Sequence, residues 1–491
     1  MSLKSKTLGN IGWMTSLRIL SYILRVATYI IFALYFSQTS YGIISFALIV
    51  IDLSILLGDF QISTALIQRK NTTLAEIHTG ATVRFILAII AMIILIVTGP
   101  YIASVMINDT YAAVEAGKVI QVLSILFILN NAGFVPHIIL TKELDFKRIT
   151  IAIGIGAIVT SIMEIILVIL QFQYWGIVIG LIVGAAVTAA TYFFITPHKI
   201  AIRFTINRDH LRSILSFCIY LVPIPFFVYA AFHIDKYLLT FYFSPFILGI
   251  YMVAWTWGTF MAFNLVEILN NVLFPTYSKM EDKRKMKNGY LLTCRYIGYI
   301  LFPLSFVLIG TADEFVTFLL GGGTPKWISA TVPLQFFTLF GLVYGLFAHS
   351  GSIWIALGHV RINLIQTTVI SVLQIAGAVI AVIFFKSIDI LAFFYFLTII
   401  PWAIWVLLLI TSVIPVKLSE ILKEYLYSAI AGLTIFPYII FVRVLMGFSW
   451  SSFIIQAFGG LAIFIIMMVL LTKKQFIDDM RLVIQKIKRK I

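Results

Sequence analysis

The stretch that decides the fold is Leu8–Lys70, LGNIGWMTSLRILSYILRVATYIIFALYFSQTSYGIISFALIVIDLSILLGDFQISTALIQRK. It consists of two long apolar runs on either side of a short polar turn at Ser37–Tyr41. An α-helix needs about 20 apolar residues to cross a bilayer. Each run is that long, so the stretch predicts two membrane-spanning helices joined by a tight turn.

Four charged residues interrupt these runs: Arg18 and Arg25 in the first, Asp52 and Asp59 in the second. The like-charged residues are seven apart, which places each pair on one face of its helix. Counted from the turn, Arg25 lies at the depth of Asp52 and Arg18 at that of Asp59. We therefore predict a charged ladder inside the membrane. Because such charges cost at least about 2.5–3.5 kcal/mol each, a function is favoured, and mutual neutralisation as packing contacts is the alternative.

The composition of the 491-residue chain is that of a polytopic membrane protein. It is 61% hydrophobic and 11% charged, far more apolar than a soluble protein of this length. We predict an all-α integral membrane fold with about 14 transmembrane helices. Their predicted ranges are 8–36, 42–66, 80–107, 116–140, 148–171, 174–195, 212–241, 246–274, 289–310, 328–356, 361–385, 388–413, 420–442 and 450–472.

Basic residues are concentrated in every second connection between these helices. The connections after even-numbered helices and the two chain ends hold 26 Lys and Arg, and the odd-numbered connections hold four. Because basic loops stay in the cytoplasm, both termini are predicted to be cytoplasmic. The tail 473–491 carries apolar residues at helical spacing beside basic ones. This pattern predicts an amphipathic helix on the anionic inner leaflet, or else a solubilising tail.

A short motif recurs along the chain. Tyr35-Phe36-Ser37 and Gly42-Ile43 recur 207 residues later as Tyr242-Phe243-Ser244 and Gly249-Ile250, and two further matches follow at offsets of 211 and 213. We predict two pseudo-symmetric six-helix lobes around a central cavity, in parallel orientation because six is even. The predicted domains are an N-lobe (1–196), a basic linker (197–211), a C-lobe (212–413), two extra helices (414–472) and the basic tail (473–491).

Several short motifs resemble those of bacterial and archaeal polysaccharide flippases. They lie at Gly58–Arg69, Leu144–Arg148, Tyr174–Gly180, Leu248–Tyr251 and Leu273–Ser278. Over about residues 5–415 the chain resembles a Wzx-type exporter of the multidrug/oligosaccharidyl-lipid/polysaccharide superfamily. The resemblance implies that a glycan on a polyprenyl or dolichyl phosphate or pyrophosphate is moved from the inner to the outer leaflet of the cell membrane by alternating access. It carries over no site residue, because the family has no fixed catalytic signature.

An anionic head group requires a polar, cationic cavity that opens sideways for the lipid tail. The predicted substrate-binding cations are Arg18 and Arg25 on helix 1 and Lys236 on helix 7, and arginine can grip phosphate through two parallel hydrogen bonds. Asp235 adjoins Lys236, but neighbours on a helix point about 100° apart and need not pair. Arg84 and Arg295 are predicted near the inner gate, where snorkelling to the interface is the structural alternative.

Carboxylates and aromatic rings complete the candidate site. The predicted ion-pair and coupling carboxylates are Asp52, Asp59, Asp235, Glu164 and Glu267. Glu164 and Glu267 could couple transport to a proton or sodium gradient, although interhelical hydrogen bonding is the simpler explanation. Tyr251, Trp255 and Trp257 on helix 8 could stack on sugar rings, with core or lipid-facing packing as the alternative.

Motifs of other function classes are missing from the sequence. It contains no G-x4-G-K-[ST], no H-E-x-x-H and no Cys/His cluster, so neither ATP hydrolysis in cis nor a metal or cofactor is predicted. An exporter of small amphipathic cations would need a more acidic cavity, and a glycan polymerase or ligase would need a larger outer loop. The predicted partners are the lipid-linked oligosaccharide, membrane lipids, a coupling ion, and a glycan polymerase or glycosyltransferases; nucleic acid is excluded.

Overall fold

The computed structural model describes residues 3–69, 72–196, 204–221, 223–280, 282–473 and 475–488. Within these ranges the regular elements are all helices and no β-strand occurs, so the predicted all-α membrane fold is confirmed. The chain divides into two compact units, unit 1 (Met1–Gly249) and unit 2 (Ile250–Arg489). The predicted lobe boundaries at 196, 212 and 413 stay predictions.

The helices of unit 1 follow one another with short connections. They are α1 (Leu3–Tyr35), α2 (Gln38–Asp59), α3 (Ile62–Gln68), α4 (Leu74–Met106), α5 (Thr110–Leu123), α6 (Leu126–Ala132), α7 (Phe134–Lys142), α8 (Phe146–Ile169), α9 (Tyr174–Ile195), α10 (Arg208–Leu221) and α11 (Pro223–Tyr242). The next helix, α12 (Pro245–Ser278), begins in unit 1 and continues into unit 2.

The other helices of unit 2 include several irregular turns. The α-helices are α13 (Lys283–Gly310), α14 (Ala312–Glu314), α15 (Thr331–Phe347), α16 (Gly351–Ala356), α17 (Val360–Ile380), α18 (Ile388–Val413), α19 (Leu418–Leu433), α20 (Ile435–Met446), α21 (Trp450–Thr472) and α22 (Gln475–Lys488). Two π-helices (Phe315–Leu320, Ala381–Phe385) and two 3-10 helices (Pro325–Ala330, Ala348–Ser350) lie between them.

Twelve segments of the described chain are long and apolar enough to cross a membrane. A shorter apolar helix, Leu20–Tyr35, lies within the first predicted span, and α10 and α11 occupy the predicted span 212–241. Every predicted span is thus occupied by helix. The exact number of fourteen crossings stays a prediction.

The hairpin quoted at the outset differs from its prediction at both ends of its second helix. The Ser37 hydroxyl accepts a hydrogen bond from the Ser40 amide, so it caps α2 and the connection is shorter than Ser37–Tyr41. The second predicted helix, 42–66, is two helices, because Phe60 and Gln61 adopt left-handed backbone angles (φ 48° and 57°). Asp59 therefore lies at the end of α2.

Alternate connections lie together within each unit. In unit 1, Arg69 donates a hydrogen bond to the Ser213 carbonyl oxygen (2.5 Å), and Lys142 donates one to the Arg69 carbonyl oxygen (2.8 Å). In unit 2, Lys287 pairs with Glu420 (2.7 Å). Arg69, Lys142 and Lys287 belong to connections after even-numbered predicted spans, and Ser213 and Glu420 are within the first two residues of the spans that follow such connections. The connections that carry most basic residues therefore share a face in each unit, as an even alternation of spans requires.

The repeated Gly-Ile motif forms a reciprocal contact. A Cβ on Gly42 would lie 1.8 Å from the Pro245 carbonyl oxygen, and a Cβ on Gly249 would lie 1.9 Å from the Gln38 carbonyl oxygen. Gln38 and Pro245 are separated by the same 207 residues as the two glycines. Each copy of the motif thus presses its glycine against the start of the other copy's helix. This is the pattern that a two-fold relation produces.

We predict that Gly42→Ala and Gly249→Ala each lower stability by about 1–3 kcal/mol, the usual cost of overpacking, because each new methyl group meets backbone rather than a movable side chain. Thermal unfolding of the purified protein in detergent measures this.

Gly154→Ala is the matched control, since its Cβ would make only an ordinary 3.7 Å contact with Leu17. It should unfold at or above the wild-type temperature, because alanine favours helix over glycine. A Gly42→Ala protein as stable as the wild type would refute the close approach.

Candidate functional site

The carboxylate of Asp59 pairs with Arg84. Arg84 Nε lies 2.8 Å from Asp59 Oδ1, and both side chains are largely buried. The Ser63 hydroxyl donates to the same carboxylate oxygen (3.0 Å), and the guanidinium lies 4.5 Å from the centre of the Phe134 ring. Arg84 is therefore a compensated charge beside a small cavity of about 10 Å³. The side chain of Arg18 lies outside the described residues.

The predicted rung between Arg25 and Asp52 does not form. Among the described residues neither side chain makes an ion pair, and both are exposed. The reason is helix packing: α1 packs against α8, whereas α2 packs against α5 and α11. Consecutive helices joined by a tight turn were expected to pair along their length, but here each has other neighbours.

Arg25 faces the acidic side of α8 instead. Its guanidinium interacts electrostatically with Glu164, which is buried on α8. Glu164 fits there because the neighbouring helix carries Gly180, where a Cβ would come within 2.4 Å of Glu164 Cγ. The second predicted coupling carboxylate, Glu267, is exposed on α12.

Lys236 and Asp235 form a buried ion pair. The sequence left this pairing open, because adjacent side chains on a helix point in different directions. Lys236 Nζ lies 3.1 Å from both Asp235 carboxylate oxygens and donates to the Phe232 carbonyl oxygen (2.5 Å). The two side chains are 1% and 0% exposed. The flexible lysine stem bends back along the helix, so Lys236 is not the open cavity cation that the sequence predicted.

Removal of one partner of this pair should be costly. We predict that Lys236→Met destabilises the protein by about 3–5 kcal/mol, because a buried carboxylate loses its countercharge. The double variant Asp235→Asn/Lys236→Met should be more stable than Lys236→Met alone. Unfolding in detergent provides the measurement, and simple addition of the two single effects would contradict the pairing.

The sequence analysis missed a polar stripe on α11. The Tyr229 hydroxyl donates to the Ile49 carbonyl oxygen of α2 (2.5 Å), and the Tyr237 hydroxyl lies 3.3 Å from the same oxygen. The His233 ring stacks on Tyr229 with ring centres 4.1 Å apart. The spacing of 229, 233 and 237, one helical turn each, was the signal available in the sequence.

Arg295 is the centre of an ion-pair cluster in unit 2. Its Nε lies 2.6 Å from Glu424 of α19, and its Nη1 lies 3.3 Å from Asp479 of α22. The Tyr299 hydroxyl donates to Asp479 (3.1 Å), and the Phe476 ring packs edge-on against Tyr299. The predicted inner-gate arginine therefore fastens the C-terminal helix.

The aromatic residues predicted to stack on sugars lie in core packing. Tyr251 is fully buried against Phe337, with ring centres 5.1 Å apart, and Trp257 is buried against Phe315. Trp255 also packs edge-on against Phe337, at 5.0 Å. The alternative that the sequence left open, core packing, describes all three.

A second cluster in unit 2 was also missed. Arg443, which the sequence placed in a connection, pairs with Asp313 (2.8 Å) and with the buried carboxylate of Glu314. The Gln456 amide donates to Glu314 (3.3 Å). Burial raises the pKa of Glu314 to about 7. No local sequence pattern predicts this cluster, because its members are far apart in the sequence.

Comparison with known proteins places the chain in a family. The sequence model of the family described as "Polysaccharide biosynthesis protein" matches residues 31–331, more than half of the chain. The chain belongs to this family. The matched range includes Asp52, Asp59, Arg84 and Lys236, whereas Arg25 lies just before it.

Two curated relatives and one solved structure resemble this polysaccharide biosynthesis protein. Lipopolysaccharide biosynthesis protein WzxC of Escherichia coli is 24% identical over 74% of the chain and 72% of its own length. Succinoglycan biosynthesis transport protein ExoT of Rhizobium meliloti is 21% identical over 64% of the chain and 62% of its own length. The lipid II flippase MurJ, in an inward closed conformation, has a TM-score of 0.77 at 16% identity, covering 94% of the chain and 99% of that structure.

These likenesses confirm the predicted resemblance to Wzx-type exporters. At 16% identity the match to MurJ shows a shared fold alone. The polysaccharide biosynthesis protein is therefore a multi-pass membrane protein of that fold.

Proposed function

We propose that this protein flips an oligosaccharide linked to a polyprenyl or dolichyl phosphate or pyrophosphate from the cytoplasmic to the outer leaflet of the cell membrane. It acts as a transporter, not an enzyme, and serves the assembly of cell-surface polysaccharide. The observation that carries the proposal is family membership over residues 31–331. Relatives named for polysaccharide transport and a fold shared with a lipid-linked glycan flippase support it.

Arg25 is the side chain that we assign to the substrate phosphate. Lys236, Arg84 and Arg295 each have a carboxylate partner, whereas Arg25 forms no ion pair among the described residues. An exposed guanidinium inside a membrane span is costly in free energy unless an anion binds to it. It offers the planar donor fork that fits two phosphate oxygens.

Glu164 provides the means of release. In the free protein Arg25 interacts with this buried carboxylate. A bound phosphate competes for the same guanidinium, so substrate binding and the charge of Glu164 are linked. Protonation of Glu164 would free Arg25 for phosphate, and deprotonation would reclaim it. This arrangement links phosphate binding to the protonation of Glu164.

The orientation follows from charge. The face that collects the basic connections is placed in the cytoplasm by the positive-inside rule, together with both termini. Lipid-linked precursor then enters from the leaflet in which glycosyltransferases work, and a polymerase receives it on the other side.

We predict that Arg25→Ala abolishes the appearance of the glycan at the cell surface while its lipid-linked precursor accumulates inside. Arg25→Lys should retain part of the activity, because lysine keeps the charge but not the bidentate fork. Surface glycan and extracted precursor are quantified in cells whose only copy of the protein is the variant.

Arg284→Ala is the control, since Arg284 is exposed in the first turn of α13. It removes the same charge without touching the proposed site. Normal surface glycan with Arg25→Ala at wild-type protein level would remove Arg25 from the transport path.

A further inference from the structure

A polar cavity of about 140 Å³ lies in unit 2, where the C-terminal helix docks. Four helices contribute to it: α13, α19, the end of α21 and the start of α22. Its lining residues include Arg295, Lys423, Glu424, Tyr427, Thr472 and Gln475. The flippase proposal does not use this cavity.

The charged side chains that line the cavity are two cations, Arg295 and Lys423, and one carboxylate, Glu424. Arg295 pairs with both Glu424 (2.6 Å) and Asp479 (3.3 Å), so its single positive charge balances one of the two carboxylates. Lys423 is exposed and forms no ion pair among the described residues, and the same holds for Lys473 and Arg481. The ammonium of Lys423 therefore lines the cavity and is available to bind an anionic ligand.

An apolar stripe leads away from the cavity along α19. Every fourth residue is apolar and exposed: Leu418, Leu422, Leu426 and Ile430 are between 39% and 51% exposed. Lys423 and Tyr427 follow directly after Leu422 and Leu426, so the polar lining adjoins the stripe along the helix. Lys423 lies about 8 Å from the start of α19, near one end of the candidate membrane span Leu418–Met446, where a lipid head group would lie.

We propose that this cavity binds an anionic membrane phospholipid. Its phosphate sits against the Lys423 ammonium and the Tyr427 hydroxyl, and one acyl chain lies along the leucine stripe. Basic pockets between transmembrane helices on the cytoplasmic side are a recurrent form of lipid head-group site. The bound lipid would join α19 to the C-terminal helix, which Arg295 already fastens through Asp479. The site is independent of substrate flipping.

The test is thermal unfolding of the purified full-length protein in a neutral detergent with three additives. These are dioleoyl phosphatidylglycerol, dioleoyl phosphatidylcholine and inorganic phosphate. We expect phosphatidylglycerol to raise the unfolding temperature in a saturable way, and the other two to have much weaker effects. Phosphatidylcholine reports on acyl chains alone, and phosphate on a soluble anion site.

Lys423→Gln should raise the half-saturating concentration of phosphatidylglycerol about tenfold, the effect of one lost charge-assisted hydrogen bond. The matched control Lys285→Gln removes an exposed lysine of α13 outside the cavity and should behave as the wild type. Lys423→Arg should restore binding, which separates loss of the site from loss of folding. Equal responses of Lys423→Gln and Lys285→Gln would overturn the proposal, as would a full effect of phosphatidylcholine or of phosphate alone.

Discussion

The structure depends on one constraint: a charge inside a membrane span must be compensated close by. Lys236 forms an ion pair with Asp235, and Arg84 forms one with Asp59. In each case the alternative is an unpaired charge in a low-dielectric interior, at a cost of several kcal/mol. Among the described intramembrane cations that the sequence singled out, Arg25 departs from this rule by forming no ion pair, although it interacts electrostatically with Glu164. That departure is the physical reason for assigning it to an anionic substrate.

Close backbone contact is the second feature that organises unit 1. The reciprocal approach of Gly42 to Pro245 and of Gly249 to Gln38 joins two copies of one sequence motif. Only glycine allows a carbonyl oxygen of another helix to come so near. The proposed flipping requires elements that contact each other and can still move apart, and two helix starts that meet through glycine fit that requirement.

The sequence predicted the helices well and their partners poorly. The predicted ranges 174–195, 388–413 and 450–472 coincide with α9, α18 and α21, because continuous apolar runs end at polar caps such as Ser387 and Ser449. The pairing of Asp59 with Arg84 was not predicted, since which helix packs on which is decided by non-local contacts. The sequence left the Lys236–Asp235 pair open, because adjacent helix positions point apart, and the flexible lysine stem allows the pair to form.

If Arg25 binds the substrate phosphate, position 25 faces water that the substrate can reach, while position 236 is sealed. Cysteine accessibility tests this most directly, in a Cys218→Ser/Cys294→Ser background because both native cysteines are buried. Arg25→Cys should react with a charged, membrane-impermeant thiol reagent and be protected by polyprenyl diphosphate, whereas Lys236→Cys should remain unreactive. Unreactive cysteine at position 25, or equal reaction at both positions, would contradict the account.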